Sequence, residues 1–250
     1  MKRRFTWTRI AQCVVVLMCV FMLKLYYSTA SADQLRWILA PTTAVVELIN
    51  GASFEFESHA GYISRDRSFL IANSCAGVNF LIAAFLMLSM RKLLSDPSKK
   101  IVWGFITSSA IIAYLVTIVA NATRISVALW LQGISAEIGG LNPYQLHRFE
   151  GIFIYFGFLL LLFVISEKMN PEEPSRLLRQ PFFPLLVYYA TALGIPLANG
   201  AHRQGTDFWE HSFFVLLIPL LLILPLAAFR LYRRWQFRRS EMVQPSPPLY

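Results

Sequence analysis

Cysteine is scarce, with three in 250 residues, too few for a disulfide framework. Charge is scarce as well: Asp, Glu, Lys and Arg make up 15% of the chain against 56% hydrophobic residues, and mean hydropathy is +0.51. Soluble domains average roughly 45–50% apolar residues, so this balance excludes an ordinary soluble domain. No internal repeat is visible, and the long apolar runs hold no acidic side chains. That argues against the midplane charges on which transporters commonly rely. The net charge of +9 suggests nucleic acid until its placement is considered. The basic residues fall in short clusters beside apolar runs, as membrane orientation requires, so no nucleic-acid partner is expected.

Apolar runs of about 20 residues, the length a bilayer core demands of a spanning helix, recur along the chain. The first, 10–27, follows Lys2, Arg3, Arg4 and Arg9. Ala30, Ser31 and Ala32 offer a signal-peptidase site, but the run exceeds the usual signal core of roughly 7–15 residues, which favours a retained helix. Further spans are expected over 76–90, 101–120, 151–165, 182–198 and 212–231. The run 125–134 is too short to cross and reads as a lip or re-entrant helix. Between the first two spans, 37–49 reads as a short or interfacial helix broken by Pro41. Phe54, Glu55, Phe56 and Glu57 alternate with the period of a strand, and Tyr62 and Ile63 can return as its partner after Gly61.

The expected fold is therefore an all-α polytopic membrane protein. It has about six transmembrane helices, a short interfacial or re-entrant helix and a small outer cap. The parts are an anchor over 1–32, an outer cap over 33–73 and a transmembrane core over 74–166. A transmembrane pair with an outer loop over 167–232 and a basic, disordered cytoplasmic tail over 233–250 complete it. With both ends inside, 16 of the 23 basic residues lie on the cytoplasmic side and 9 of the 14 acidic residues outside.

This topology brings three reactive side chains to one membrane boundary. Cys75 opens the second span, Arg124 follows the third and His147 precedes the fourth. Cys13 and Cys19 lie inside the first apolar run and read as apolar filler. Alone, Cys75 can be an ordinary small residue, Arg124 an interfacial anchor and His147 a surface histidine. Together they suit acyl transfer by a thiol. The start of a helix favours an anion such as thiolate, and Cys75 can attack a peptide carbonyl to form a thioester. His147 can take the thiol proton and return it to the leaving amine. Arg124 keeps its charge and can stabilise the oxyanion. Asn79, Asn121 and Glu150 stand at helical spacing from these three. Glu150 can orient the imidazole or simply be a solvated carboxylate at a helix start.

Cys75-Ala76-Gly77 heading a membrane helix, Asn121-Ala122-Thr123-Arg124-Ile125, and His147 followed by Gly151 resemble the three signatures of the exosortase/archaeosortase family. The run Cys75 to Phe80 resembles the exosortase K type. The resemblance covers roughly 70–165. It implies a membrane cysteine endopeptidase or transpeptidase with Cys75 as nucleophile and Arg124 and His147 as its partners, and no cofactor. The implied substrates are exported proteins bearing a C-terminal motif, a transmembrane helix and a basic tail. The implied location is the bacterial cytoplasmic membrane, in contact with lipid, with the site facing outside and links to exopolysaccharide genes.

A second cluster, His202, Asp207, Glu210 and His211, lies on the same expected outer face. Its spacing fits no standard zinc pattern, so no metal is expected. The cluster reads as a solvated loop or as a docking element for the substrate motif. Two other classes stay open: a non-enzymatic transport or polysaccharide-assembly protein, which would tolerate Cys75→Ala, and another membrane thiol acyltransferase.

Overall fold

The computed structural model describes residues 7–94, 103–132, 143–169, 182–198 and 206–243. These residues are mostly helical. Five helical segments are long and apolar enough to cross a membrane: Trp7–Thr29, Asn73–Leu94, Gly104–Leu131, Gln145–Met169 and Phe208–Phe229. They lie on helices Trp7–Thr29 (α1), Val78–Leu94 (α3, extended by the turn ahead of it), Gly104–Gln132 (α4), Pro143–Met169 (α5) and Thr206–Val243 (α8). A further apolar segment is built from Phe182–Tyr189 (α6), a π-helical turn and Ile195–Ala198 (α7). At about 1.5 Å per residue it spans ~25 Å, short of the ~30 Å hydrocarbon core. The π turn, Ala190–Gly194, lies just ahead of Pro196, which lacks the N–H that an unbroken helix needs.

Helix α1 runs antiparallel to α3. Arg9 Nη1 donates to the Leu93 carbonyl at 2.8 Å at one end, and Lys24 Nζ donates to Asn79 Oδ1 at 2.8 Å at the other. At the same end of α3 as Arg9, Arg91 reaches the Phe163 carbonyl of α5 at 3.1 Å and the Ser166 hydroxyl. Arg9 and Arg91 are both buried. Arg9 places its cation on a carbonyl in the last turn of α3, where the dipole favours it.

Helix Arg36–Asn50 (α2) continues through Pro41 where the sequence suggests a break. Proline at that position frees the carbonyl four residues earlier, on Trp37. The Tyr114 hydroxyl of α4 donates to that carbonyl at 2.8 Å, and the two rings stack at 5.8 Å. Asn50 at the far end donates to the Ser126 hydroxyl at 2.7 Å, so α2 lies lengthwise along α4 from Tyr114 to Ser126.

The cap is a three-stranded antiparallel sheet, Phe54–Glu57 (β1), Gly61–Ser64 (β2) and Leu70–Ile71 (β3), with Phe56 opposite Tyr62 and Ile63 opposite Leu70. Period-two alternation in β1 predicts this hairpin correctly; β3 is too short to carry a pattern. Glu47 of α2 accepts from the Phe54 N–H at 2.7 Å, and the Arg36 guanidinium covers the Phe56 ring at 4.6 Å. The Asp33 carboxylate accepts from the Ser58 hydroxyl at 2.8 Å and from the His59 N–H at 3.0 Å. These two bonds hold its carboxyl below the usual carboxylate range.

Two further expectations change. The run 125–134 is not a separate re-entrant helix: α4 is continuous through Gln132, while Gly133 and Ile134 lie outside the described residues. Its 29 residues reach ~43 Å, more than the ~30 Å core, so one end stands clear of the apolar slab. The tail expected to be disordered from 233 remains helical through Val243. No glycine or proline interrupts 226–243, and its Arg, Gln and Leu residues are good helix formers.

Candidate functional site

The backbone builds the site at one end of α3, α4 and α5. A short 3₁₀ turn, Asn73–Cys75, follows β3 and delivers Cys75 ahead of α3. Gly77 then takes φ +70, the left-handed region open to glycine. A Cβ there would stand 3.1 Å from the Asn121 side chain, so the turn and α4 meet at contact distance. Asn121, fully buried, donates from Nδ2 to the Cys75 carbonyl and fixes the turn to α4.

Arg124, three residues on, shares that face of α4. Counting 20 residues from Gly104 at ~1.5 Å each puts Arg124 ~30 Å along the helix, about the thickness of a bilayer core. Its Nη2 lies 2.9 Å from His147 Nε2 of α5, and its Nη1 donates to the Tyr155 hydroxyl at 3.3 Å. Tyr155 in turn donates to Asn121 Oδ1 at 2.8 Å. The Tyr155 ring is sandwiched, stacked on Phe80 at 5.2 Å and lying 5.4 Å from the guanidinium carbon. Gly151 permits the approach of α4 to α5, since a Cβ there would sit 3.0 Å from Arg124 Nε.

His147 Nδ1 faces Glu150 Oε2 at 3.5 Å. A guanidinium only donates, so Nε2 accepts from Arg124 and a neutral ring carries its proton on Nδ1, towards Glu150. Nε2 is thus engaged, while Nδ1 faces the carboxylate without a hydrogen bond. Glu150 is 5% exposed, and neither of its oxygens has a hydrogen-bond partner.

Cys75, His147 and Glu150 line one cavity of about 420 Å³. Its other walls are Ser68, Phe69 and Leu70 from the cap, Ala128 and Leu131 from α4, and Leu146 from α5. The stretch of α4 beyond Arg124 therefore has a place: Ala128 and Leu131 on it face this cavity. Arg124 does not line it and sits behind His147.

Of the residues singled out from sequence, Cys75, Asn121, Arg124, His147 and Glu150 are brought together here. Asn79 is not: it is exposed and bonds Lys24 of α1. His202 lies outside the described residues. His211 is half-buried in α8 and does not line the cavity, while its neighbour Glu210 is held by Gln145 at 3.0 Å and Arg148 at 3.7 Å. Among the described residues, no three His, Cys, Asp or Glu side chains form a metal-binding group. Tyr155 was not singled out, because one tyrosine in a long apolar run reads as core. Only its spacing, eight residues after His147, puts it near the same face of α5.

No protein-family model, no curated protein and no solved structure matches the chain.

Proposed function

We propose that the protein is a membrane-embedded cysteine endopeptidase or transpeptidase that cleaves exported proteins through a thioester on Cys75. The observation that carries this reading is convergence. Cys75 and His147, 72 positions apart in the sequence, line one cavity, with the Arg124 guanidinium 2.9 Å from the imidazole. The resemblance of the three motifs to the exosortase/archaeosortase family supports it.

In the resting arrangement His147 Nε2 is occupied by Arg124. A peptide carbonyl oxygen entering the cavity competes for the same guanidinium donor. Once Arg124 turns to that oxygen, Nε2 is free to take the Cys75 proton, and Glu150 faces the imidazolium that forms. The thiolate attacks the carbonyl carbon, and Arg124 stabilises the tetrahedral oxyanion. His147 returns the proton to the leaving amine, leaving the acyl group on sulfur. The apolar lining suits a substrate segment that emerges from a membrane helix.

The charge distribution supports a bacterial cytoplasmic membrane with the cavity on the outer side. The test is Cys75→Ala in the host organism. An exported protein retaining a C-terminal hydrophobic tail and basic end accumulates if the reading holds. Unchanged processing of every such protein refutes it and favours a transport or assembly role.

A further inference from the structure

The carboxylate of Glu150 is the most conspicuous unspent group in the cavity. It is 95% buried, lines the same cavity as Cys75 and His147, and neither oxygen accepts a hydrogen bond. A buried carboxylate without donors is costly unless something brings charge and N–H groups to it. Arg124 lies close enough to interact with it electrostatically but gives it no hydrogen bond. Arg124 spends Nη1 on Tyr155 and Nη2 on His147, and its Nε has no partner. His147 offers one proton at a loose 3.5 Å to Oε2, which leaves Oε1 unserved.

We infer that Glu150 seats the primary ammonium group of an acceptor, placing it in the Cys75 cavity to take the acyl group from sulfur. This rests on the cysteine reading above. A primary ammonium fits better than an alcohol, because it supplies three donors and the countercharge to a carboxylate offering two acceptor oxygens. The remaining walls, Phe69, Leu70, Leu131 and Leu146, carry no competing charge.

The chemistry balances. Glu150 takes one proton from the bound ammonium, leaving a neutral amine whose lone pair attacks the thioester carbon. The new C–N bond forms as the C–S bond breaks, and Cys75 leaves as thiolate. The second nitrogen proton passes through His147 to the sulfur, restoring the thiol, and Glu150 releases its proton to solvent. The acyl chain ends as an amide of the acceptor.

The experiment uses the full chain in nanodiscs with the benzyl thioester of N-acetyl-leucine as acyl donor. Free acid and amide products are counted with methylamine, or with hydroxylamine, which is uncharged at neutral pH. In the native protein the amide fraction saturates with methylamine and rises linearly with hydroxylamine. In Glu150→Gln the amide-to-acid ratio with methylamine falls about tenfold or more, the loss expected for a charge-assisted contact, while the hydroxylamine ratio holds. If Glu150 only orients His147, both products fall together and the methylamine ratio is unchanged, which overturns the inference. Unsaturable methylamine dependence in the native protein overturns it as well, without any variant. Absence of an acyl adduct on Cys75 refutes the cysteine reading itself, and this inference with it. Replacing methylamine by a glycyl peptide or by phosphatidylethanolamine in the nanodisc tells which carrier presents the ammonium.

Discussion

Tyr155→Phe is the most discriminating single change, because it removes one oxygen and leaves every ring contact in place. That hydroxyl donates to Asn121 Oδ1 at 2.8 Å and accepts from Arg124 Nη1 at 3.3 Å. Asn121 is fully buried, so its carbonyl oxygen loses a partner that water cannot readily replace. Leaving one buried polar group unsatisfied costs about 1–3 kcal/mol, and the bond to the charged guanidinium adds a comparable amount. Phe fills the same volume, keeps the stack on Phe80 and keeps the face presented to Arg124. Unfolding in detergent, followed by the denaturant midpoint, is expected to report a loss of about 2–6 kcal/mol. Activity is expected to fall further than stability explains. Arg124 freed on one side no longer holds His147, and every ~1.4 kcal/mol of lost transition-state stabilisation is a factor of ten. Acylation of Cys75 by a thioester donor should slow about 10- to 100-fold in protein that is still folded. A Tyr155→Phe protein with native midpoint and native acylation rate would refute the claim that the Tyr155–Asn121–Arg124 chain holds the site together.

Three further outcomes follow from the geometry. Gly151→Ala puts a methyl 3.0 Å from Arg124 Nε, and should lower the acylation rate more than it lowers the unfolding midpoint, an overpacking cost of about 1–3 kcal/mol. Tyr114→Phe strands the Trp37 carbonyl and should destabilise by about 1 kcal/mol. Adding Pro41→Ala restores an N–H for that carbonyl, so the double variant should recover most of the loss in a denaturant cycle. The Asp33 carboxyl is held below its usual range by Ser58 and His59, so its contribution to cap docking is present above the unfolded carboxylate pKa of about 3.9 and is lost as pH falls through the lower folded value. Hydrogen exchange at 58–60 should stay slow from pH 7 down to about pH 4 and quicken below it. Asp33→Asn should abolish that pH dependence, and an unchanged profile would show that the carboxylate does not hold the turn.

The sequence makes five long apolar spans legible because a bilayer imposes length and apolarity on each one separately, whereas the sixth expected span, 182–198, is a shorter segment interrupted by a π turn. The β1–β2 hairpin is legible for a similar reason: alternation in Phe54–Glu57 is a local signal. What it hides depends on partners elsewhere in the chain. Pro41 looks like a break until Tyr114 supplies a donor to the carbonyl it frees. The polar run Asn121 to Arg124 looks like a helix end, yet each of those two side chains has a partner across the bundle, so α4 continues. Cys75, Arg124 and His147 could be linked by depth alone, because depth follows from topology. Asn79 could not be placed that way. It shares the helix of the Cys75 turn but faces α1, where Lys24 takes it. Tyr155 stayed invisible because its role is visible only in what it touches.

The central claim is that the Cys75 sulfur carries the acyl group, and one mass measurement tests it. Tryptic cleavage after Arg67 and Arg91 isolates Ser68–Arg91, in which Cys75 is the sole cysteine. Protein incubated with the thioester donor, quenched in acid and digested should yield this peptide with the acyl mass added. Hydroxylamine should remove that mass, and the adduct should be absent from Cys75→Ala. An adduct found only on Cys13 or Cys19, or a Cys75 that stays a free thiol while the donor is consumed, would contradict the account.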